Sequence, residues 1–202
     1  MPPGSAADRH ARRAASGRCD AAWLRPLPPD AAELLTTLHA QPRLVAHLRA
    51  VHDVACQLVD WVTRHHPTAT FDREAVLFGA ATHDIGKVEH PAELSGPGSA
   101  HEPAGHALLR HHGVPERLAR FAGTHGSWSS ATTFEELLVS LADKVWKAKR
   151  VEDLEHLVTT HLATVGGREP WDVFLALDDE LDRIAARADE RLAFQASCPI
   201  AG

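Results

Sequence analysis

Six residues define the chemistry open to this chain: His47, the adjacent pair His83-Asp84, His101, His125 and Asp143. Their order is His, His-Asp, His, His, Asp. Imidazole nitrogens mixed with carboxylate oxygens suit a divalent transition metal, and Mn, Fe, Co, Ni and Zn all fall within that donor set. An adjacent His-Asp puts both donor types beside one ion. Alone it would say little, so the order and spacing of all six residues carry the signal. The four lysines, Lys87, Lys144, Lys147 and Lys149, all lie in the two segments around Asp84 and Asp143. An ammonium is a compact point charge suited to phosphate oxygens, although a lysine-poor chain could show the same clustering by chance.

These residues need elements to position them. From about Pro42 to His65, Leu44, His47, Val51, Val54, Leu58 and Trp61 recur at helical steps and share a face. Val45, Leu48, His52 and Val59 trace a neighbouring stripe. His47 is the preferred first ligand, with His52 held in reserve. A helix from about Phe71 ends at His83-Asp84, where Gly86 permits a sharp turn and lets both side chains face a cavity. A buried Asp needs a partner, which a metal could supply. His101 lies in a helix from about Ser99 to His112, and Gly105, one turn on, leaves space beside its imidazole. His125 ends a short helix opened by Pro115, among small residues.

Thr133 and Glu136 form a capping box, and Leu137, Leu138, Leu141 and Val145 continue the period. This helix is expected to run past Asp143 to about Leu154. Lys147 and Arg150 then share a face with Asp143, so two cations look into the same cleft as an acidic ligand. The plainer alternative is a surface salt bridge between Asp143 and Lys147, worth a few tenths of a kcal/mol, roughly. Elsewhere Asp30 and Glu33 read as another capping box. Further helices are expected over His156 to Thr164, and from Pro170 through Leu181, Ile184 and Leu192. No segment alternates as a strand would, so the fold class is all-α. Residues 1–29 are rich in Ala, Arg, Gly and Pro and read as a disordered or loosely attached tail. Residues 30–196 read as one helical domain, and 197–202 as a loose end.

The composition bounds the partners. With 202 residues and 44% hydrophobic content, the chain can bury one sizeable core. A formal charge of −6 argues against a nucleic-acid scaffold, so an anionic substrate would need a local positive site. Cys19, Cys56 and Cys198 are far apart and odd in number, which argues against a disulfide framework and for a reducing compartment. No apolar run reaches the length of a membrane span. No apolar stretch follows Arg12-Arg13, so no secretory signal is read and the cytoplasm is the default expectation.

Taken together, His47 with Val51, His83-Asp84-Ile85-Gly86-Lys87, His101 with Gly105, His125, and Ala142-Asp143-Lys144 resemble the HD-domain superfamily of metal-dependent phosphohydrolases. The likeness spans about residues 40–150. It implies a helical bundle with a central metal site. His47, His83, Asp84 and Asp143 would hold a first ion, and Asp84, bridging, would hold a second with His101 and His125. Lys87 would then neutralise developing phosphate charge, with Lys144, Lys147 or Arg150 as further substrate-binding candidates. Trp128 and Trp146 could stack on a base or simply pack. The expected activity is hydrolysis of a small phosphate ester, preferably a nucleotide. A di-iron oxygenase and a non-catalytic nucleotide-binding regulatory domain stay open, because one fold hosts many functions.

Overall fold

The structure is a computed structural model and describes residues 21–199. Its elements are α1 (Pro29–Thr37), α2 (Pro42–His65), α3 (Arg73–Thr82), two 3-10 turns (Ile85–Val88 and Pro91–Leu94), α4 (His101–His111), α5 (Glu116–Thr124), α6 (Phe134–Val145), α7 (Glu152–Gly166), α8 (Pro170–Ala185) and α9 (Ala188–Ser197). Among the described residues there is no strand, so the all-α expectation holds. No helix there is long and apolar enough to cross a membrane.

Helix α2 is the axis of the molecule. It packs against α3, α6, α8 and α9 and is buried on nearly all sides between Leu44 and Val62. Its apolar side is wide enough to meet several neighbours, which accounts for two apolar stripes, while Arg49, Gln57, Asp60 and Arg64 keep one side partly exposed. Pro42 starts it without needing a side-chain cap. The main core joins α2 and α3 to α6, α7 and α8 through Val54, Leu58, Val76, Leu138, Leu141, Leu162 and Leu181. A second cluster, Leu35, Leu44, Leu48, Ile85 and Leu109, seats α1, α4 and α5 at the other end. The six candidate ligands come from α2, the α3 terminus, α4, α5 and α6.

Several ends differ from expectation. Helix α1 starts at Pro29 after Pro28, and no side chain caps it. Asp30 is therefore inside the first turn and forms no capping box. The box at Thr133 and Glu136 is present in both directions. Helix α6 stops at Val145 instead of running to Leu154, because Ala148 adopts a left-handed φ of 57°. That turn sends the Lys149 N–H back to the Lys144 carbonyl at 3.1 Å, closing the helix as a glycine usually does. The last expected helix is two, α8 and α9. The buried Arg191 joins them: its Nε donates to the Trp146 carbonyl at 2.8 Å and its Nη2 to the Ile184 carbonyl.

The expected tails are also shorter where they are described. Ala21 and Leu24 are buried, and Arg49 donates to both of their carbonyls. Residues 21–28 thus pack on the bundle; residues 1–20 lie outside the described part. At the other end Cys198 is buried and its carbonyl accepts from Arg43 Nε at 3.1 Å. Cys198 is disulfide-bonded, which runs against the expectation drawn from cysteine number and spacing, while Cys56 is a free, buried thiol.

Candidate metal centre

All six candidate ligands converge, and all are buried. Asp84 is at the centre. Its Oδ2 lies 3.0 Å from His47 Nε2 and 3.7 Å from His83 Nε2. Its Oδ1 lies 2.9 Å from His101 Nε2 and 3.4 Å from His125 Nε2. Each carboxylate oxygen thus faces its own pair of imidazoles. Asp143 Oδ1 closes the first group, 3.4 Å from His83 Nε2 and 3.8 Å from His47 Nε2.

The outer ring nitrogens explain the orientation. His83 Nδ1 faces the Ala80 carbonyl at 2.9 Å, His125 Nδ1 the Phe121 carbonyl at 3.2 Å, and His101 Nδ1 the Glu93 carboxylate at 2.5 Å. An oxygen acceptor fixes the proton on Nδ1 and turns the Nε2 lone pair inward, an arrangement shared by metal-ligating histidines. His47 is set instead by Trp146, whose ring meets it edge-on at 4.9 Å.

These donors fit a cation. Ions bound at 2.0–2.2 Å hold neighbouring donors roughly 3.0–3.4 Å apart, and His47 Nε2 and His83 Nε2 are 3.3 Å apart. That spacing matches the separation of two ligands on one ion, although an N–H on His47 Nε2 donating to His83 gives the same distance. His101 Nε2 makes no hydrogen bond although Asp84 Oδ1 is close. With its proton on Nδ1, it would point a lone pair at a carboxylate. A proton is the only substitute for a metal there, and the His101 pKa is indeed raised. Burial opposes that rise, while Asp84 and Glu93 outweigh it. Burial likewise opposes ionisation of both aspartates, yet the neighbouring imidazoles, His83 foremost, hold Asp84 and Asp143 well below the usual carboxylate range.

Two of the four expected cations join the cluster. Lys87 Nζ is 2.5 Å from Asp84 Oδ2 and Lys144 Nζ is 2.6 Å from Asp143 Oδ2. Lys144 also lies over the Trp128 ring, 5.8 Å from its centroid. Lys147 and Arg150 do not join it, since the helix face expected to carry them with Asp143 ends at Val145. Lys147 is exposed and lies 5.8 Å over the Trp146 ring. Arg150 is committed to Glu155, Asp178 and Asp182, and these carboxylates, Glu155 first, push its pKa up. It ties α7 to α8 instead of facing substrate.

His52, the reserve ligand, is elsewhere in the core. Its Nε2 is 3.6 Å from Cys56 Sγ, and burial lowers its pKa to about 4. Gly105 does not make room beside His101. Its backbone sits against Gly86, where a Cβ would come within 3.0 Å of the Gly86 nitrogen, so its role is to let α4 approach the His-Asp turn closely.

Two acidic residues at the centre carry no signal in the sequence. Glu93, in the second 3-10 turn, holds His101 Nδ1 and accepts from the backbone N–H groups of Ala100 and His101, both at 3.2 Å. It therefore caps α4 and aims its first side chain at once. Glu102 offers a donor atom within 4.8 Å of those of His101 and His125. Neither belongs to a periodic pattern or a motif, since one is in a short 3-10 turn and the other reads as an ordinary first-turn glutamate.

The family model described as HD domain matches residues 44–146, about half of the chain, from the start of the axial helix to the end of α6. No curated protein and no solved structure matched. The match spans all six converging residues, and the chain belongs to the HD-domain superfamily of metal-dependent phosphohydrolases.

Proposed function

We propose that the chain hydrolyses a small phosphate ester, with nucleotides the leading substrate class, at a centre of one or two divalent transition ions. The observation that supports this most is the division of Asp84, whose two oxygens face two separate imidazole pairs. In this reading His47, His83, Asp84 and Asp143 would hold a first ion, and His101 and His125, with Asp84 shared, would hold a second. Bound divalent ions would supply acidified water near neutral pH and stabilise charge on phosphoryl oxygens.

The rest is done by side chains. The outer acceptors of His83, His101 and His125 keep their Nε2 lone pairs aimed inward. Burial of the ligands excludes bulk water and strengthens charge interactions. Lys87 and Lys144 keep 17% and 16% of their side-chain surface exposed, against at most 10% for the ligands they touch. Substrate approaching from that rim meets two ammonium groups, each able to turn from its carboxylate to a phosphate oxygen. Beside Lys144 lies Trp128, a ring on which a base could stack.

The test is a phosphate-release screen over nucleotides and sugar phosphates with Mn, Co, Ni, Fe, Zn and Mg in turn. Release from one substrate class is expected, and it should persist without O₂. Lys87→Ala should keep its metal and lose about 10²–10³ in turnover. Strict dependence on iron and O₂, with no phosphate released, would replace hydrolysis with oxygenation.

A further inference from the structure

The Glu102 carboxylate is the one at the centre without a partner among the described residues. Asp84 has Lys87, Asp143 has Lys144 and Glu93 has His101, but no hydrogen bond or ion pair holds the side chain of Glu102. It is partly buried at the start of α4, and its donor atom, with those of His101 and His125, forms a group within 4.8 Å. The space it occupies depends on Gly126, the residue after His125. A Cβ there would come within 2.5 Å of Glu102 Oε1 and 3.0 Å of its Cδ. An uncommitted carboxylate beside two inward-facing imidazoles, in space that a missing side chain leaves open, has the chemistry of a ligand waiting for a cation.

We propose that Glu102 is a direct ligand of the second ion, completing a set of two nitrogens and two oxygens with His101, His125 and Asp84 Oδ1. This rests on the two-ion reading above. It adds a negative charge to a site that would otherwise carry one, and it favours harder ions such as Mn²⁺ or Fe²⁺ over softer ones. It also makes the second ion chiefly the property of α4 and the α5 terminus, separate from the first ion on α2 and α6.

The experiment titrates metal-free, full-length protein with Mn²⁺, reading free ion by electron paramagnetic resonance, and needs no substrate. Wild type should take up two ions. Glu102→Gln, Glu102→Ala and Gly126→Ala should bind the first as wild type does and the second at least about tenfold more weakly. Melting of the metal-free variants checks their folding, and the near-isosteric glutamine guards against collapse of the alanine forms. Glu116→Ala, removing a surface carboxylate paired with His106, should change neither ion. Two ions in wild type with an unaltered second affinity in Glu102→Gln would overturn this inference alone. Equal weakening of both ions would also overturn it, by showing a general disturbance. Fewer than two ions in wild type would overturn the two-ion reading and this inference with it.

Discussion

Gly86→Ala should detach the second metal group from the first without unfolding the chain. Gly86 follows the His-Asp pair and lies directly under the first turn of α4. A Cβ built on it would sit 2.0 Å from the His101 carbonyl oxygen and 2.5 Å from the Gly105 nitrogen. Those two atoms are the acceptor and donor of an i,i+4 pair in α4, so the methyl group would drive into the helix backbone. Ordinary contact begins at 3.4 Å, so the gap must open by about 1.4 Å. Neither side can yield by rotating a side chain, and the cost belongs at the upper end of overpacking, about 3 kcal/mol. For a chain of this size that lowers Tm by about 6–12 °C.

The effect on metal is sharper than the effect on stability. His101 Nε2 rides on α4 and now lies 2.9 Å from Asp84 Oδ1, while metal–ligand distances tolerate only about 0.2 Å. Moving α4 by more than about 1 Å takes His101 out of reach. His47, His83 and Asp143 come from elements that need not move, so the first ion should stay. Elemental analysis with calorimetry reads both effects, expecting one ion lost, one kept and a lowered but cooperative melt. Gly105→Ala is the internal comparison. Its Cβ meets the Gly86 nitrogen at 3.0 Å and Ala122 Cβ at 3.2 Å, a squeeze of a few tenths of an ångström that should cost visibly less. If Gly86→Ala keeps both ions and melts within about 2 °C of wild type, close backbone approach is not what places His101.

Three more outcomes follow from the same geometry. Glu93→Ala should weaken the second ion by about 10–100-fold and leave the first, since it removes both the acceptor that orients His101 and the cap of α4 that carries it; metal titration checks it. Ala148→Gly should stabilise the chain by about 1 kcal/mol, read as a higher urea midpoint, because glycine carries no penalty at φ 57°. His52, held near a pKa of about 4 by burial, is neutral when folded and takes up a proton near its ordinary value when unfolded. Its stabilisation is full above about pH 6.5 and is lost as pH falls toward 4, about 2 kcal/mol of it between pH 7.5 and 5. His52→Leu should flatten that part of the urea-midpoint profile relative to wild type, and parallel profiles would refute the assignment.

How much of this is legible in the sequence depends on where the determining interactions are made. Helix α2 is readable from Pro42 to His65 because its apolar period is long and its start is a proline. The capping box of α6 is readable because both partners are three residues apart. The six convergent residues are readable as a pattern of types and spacing. The choice between His47 and His52 is not, because both residues are buried in this helix and each lies in an apolar stripe. Only the arrival of Asp84 and His83 on one side separates them.

Most of the departures arise from contacts between elements. Sequence alone extends helix α6 because Lys147-Ala148-Lys149-Arg150 contains no glycine or proline, whereas the left-handed turn at Ala148 is imposed by tertiary contacts. One of these is Arg191, arriving from 45 residues away to take the Trp146 carbonyl. That single overextension creates the false face on which Lys147 and Arg150 join Asp143. The capping box at Asp30 fails for a local reason, since Pro28 is the N-cap and Pro29 the first helical residue, two residues too early for Asp30 to act as a cap. Glu93 and Glu102 escape notice because their roles depend on what folds onto them: a carboxylate in a short 3-10 turn becomes an orienting group only when α4 starts beside it, and a first-turn glutamate becomes a ligand candidate only when His125 and Gly126 come to meet it. Residue spacing along one element reveals the donors that share a helix face. The groups that aim those donors, or complete their set from another element, become visible only once the bundle has closed.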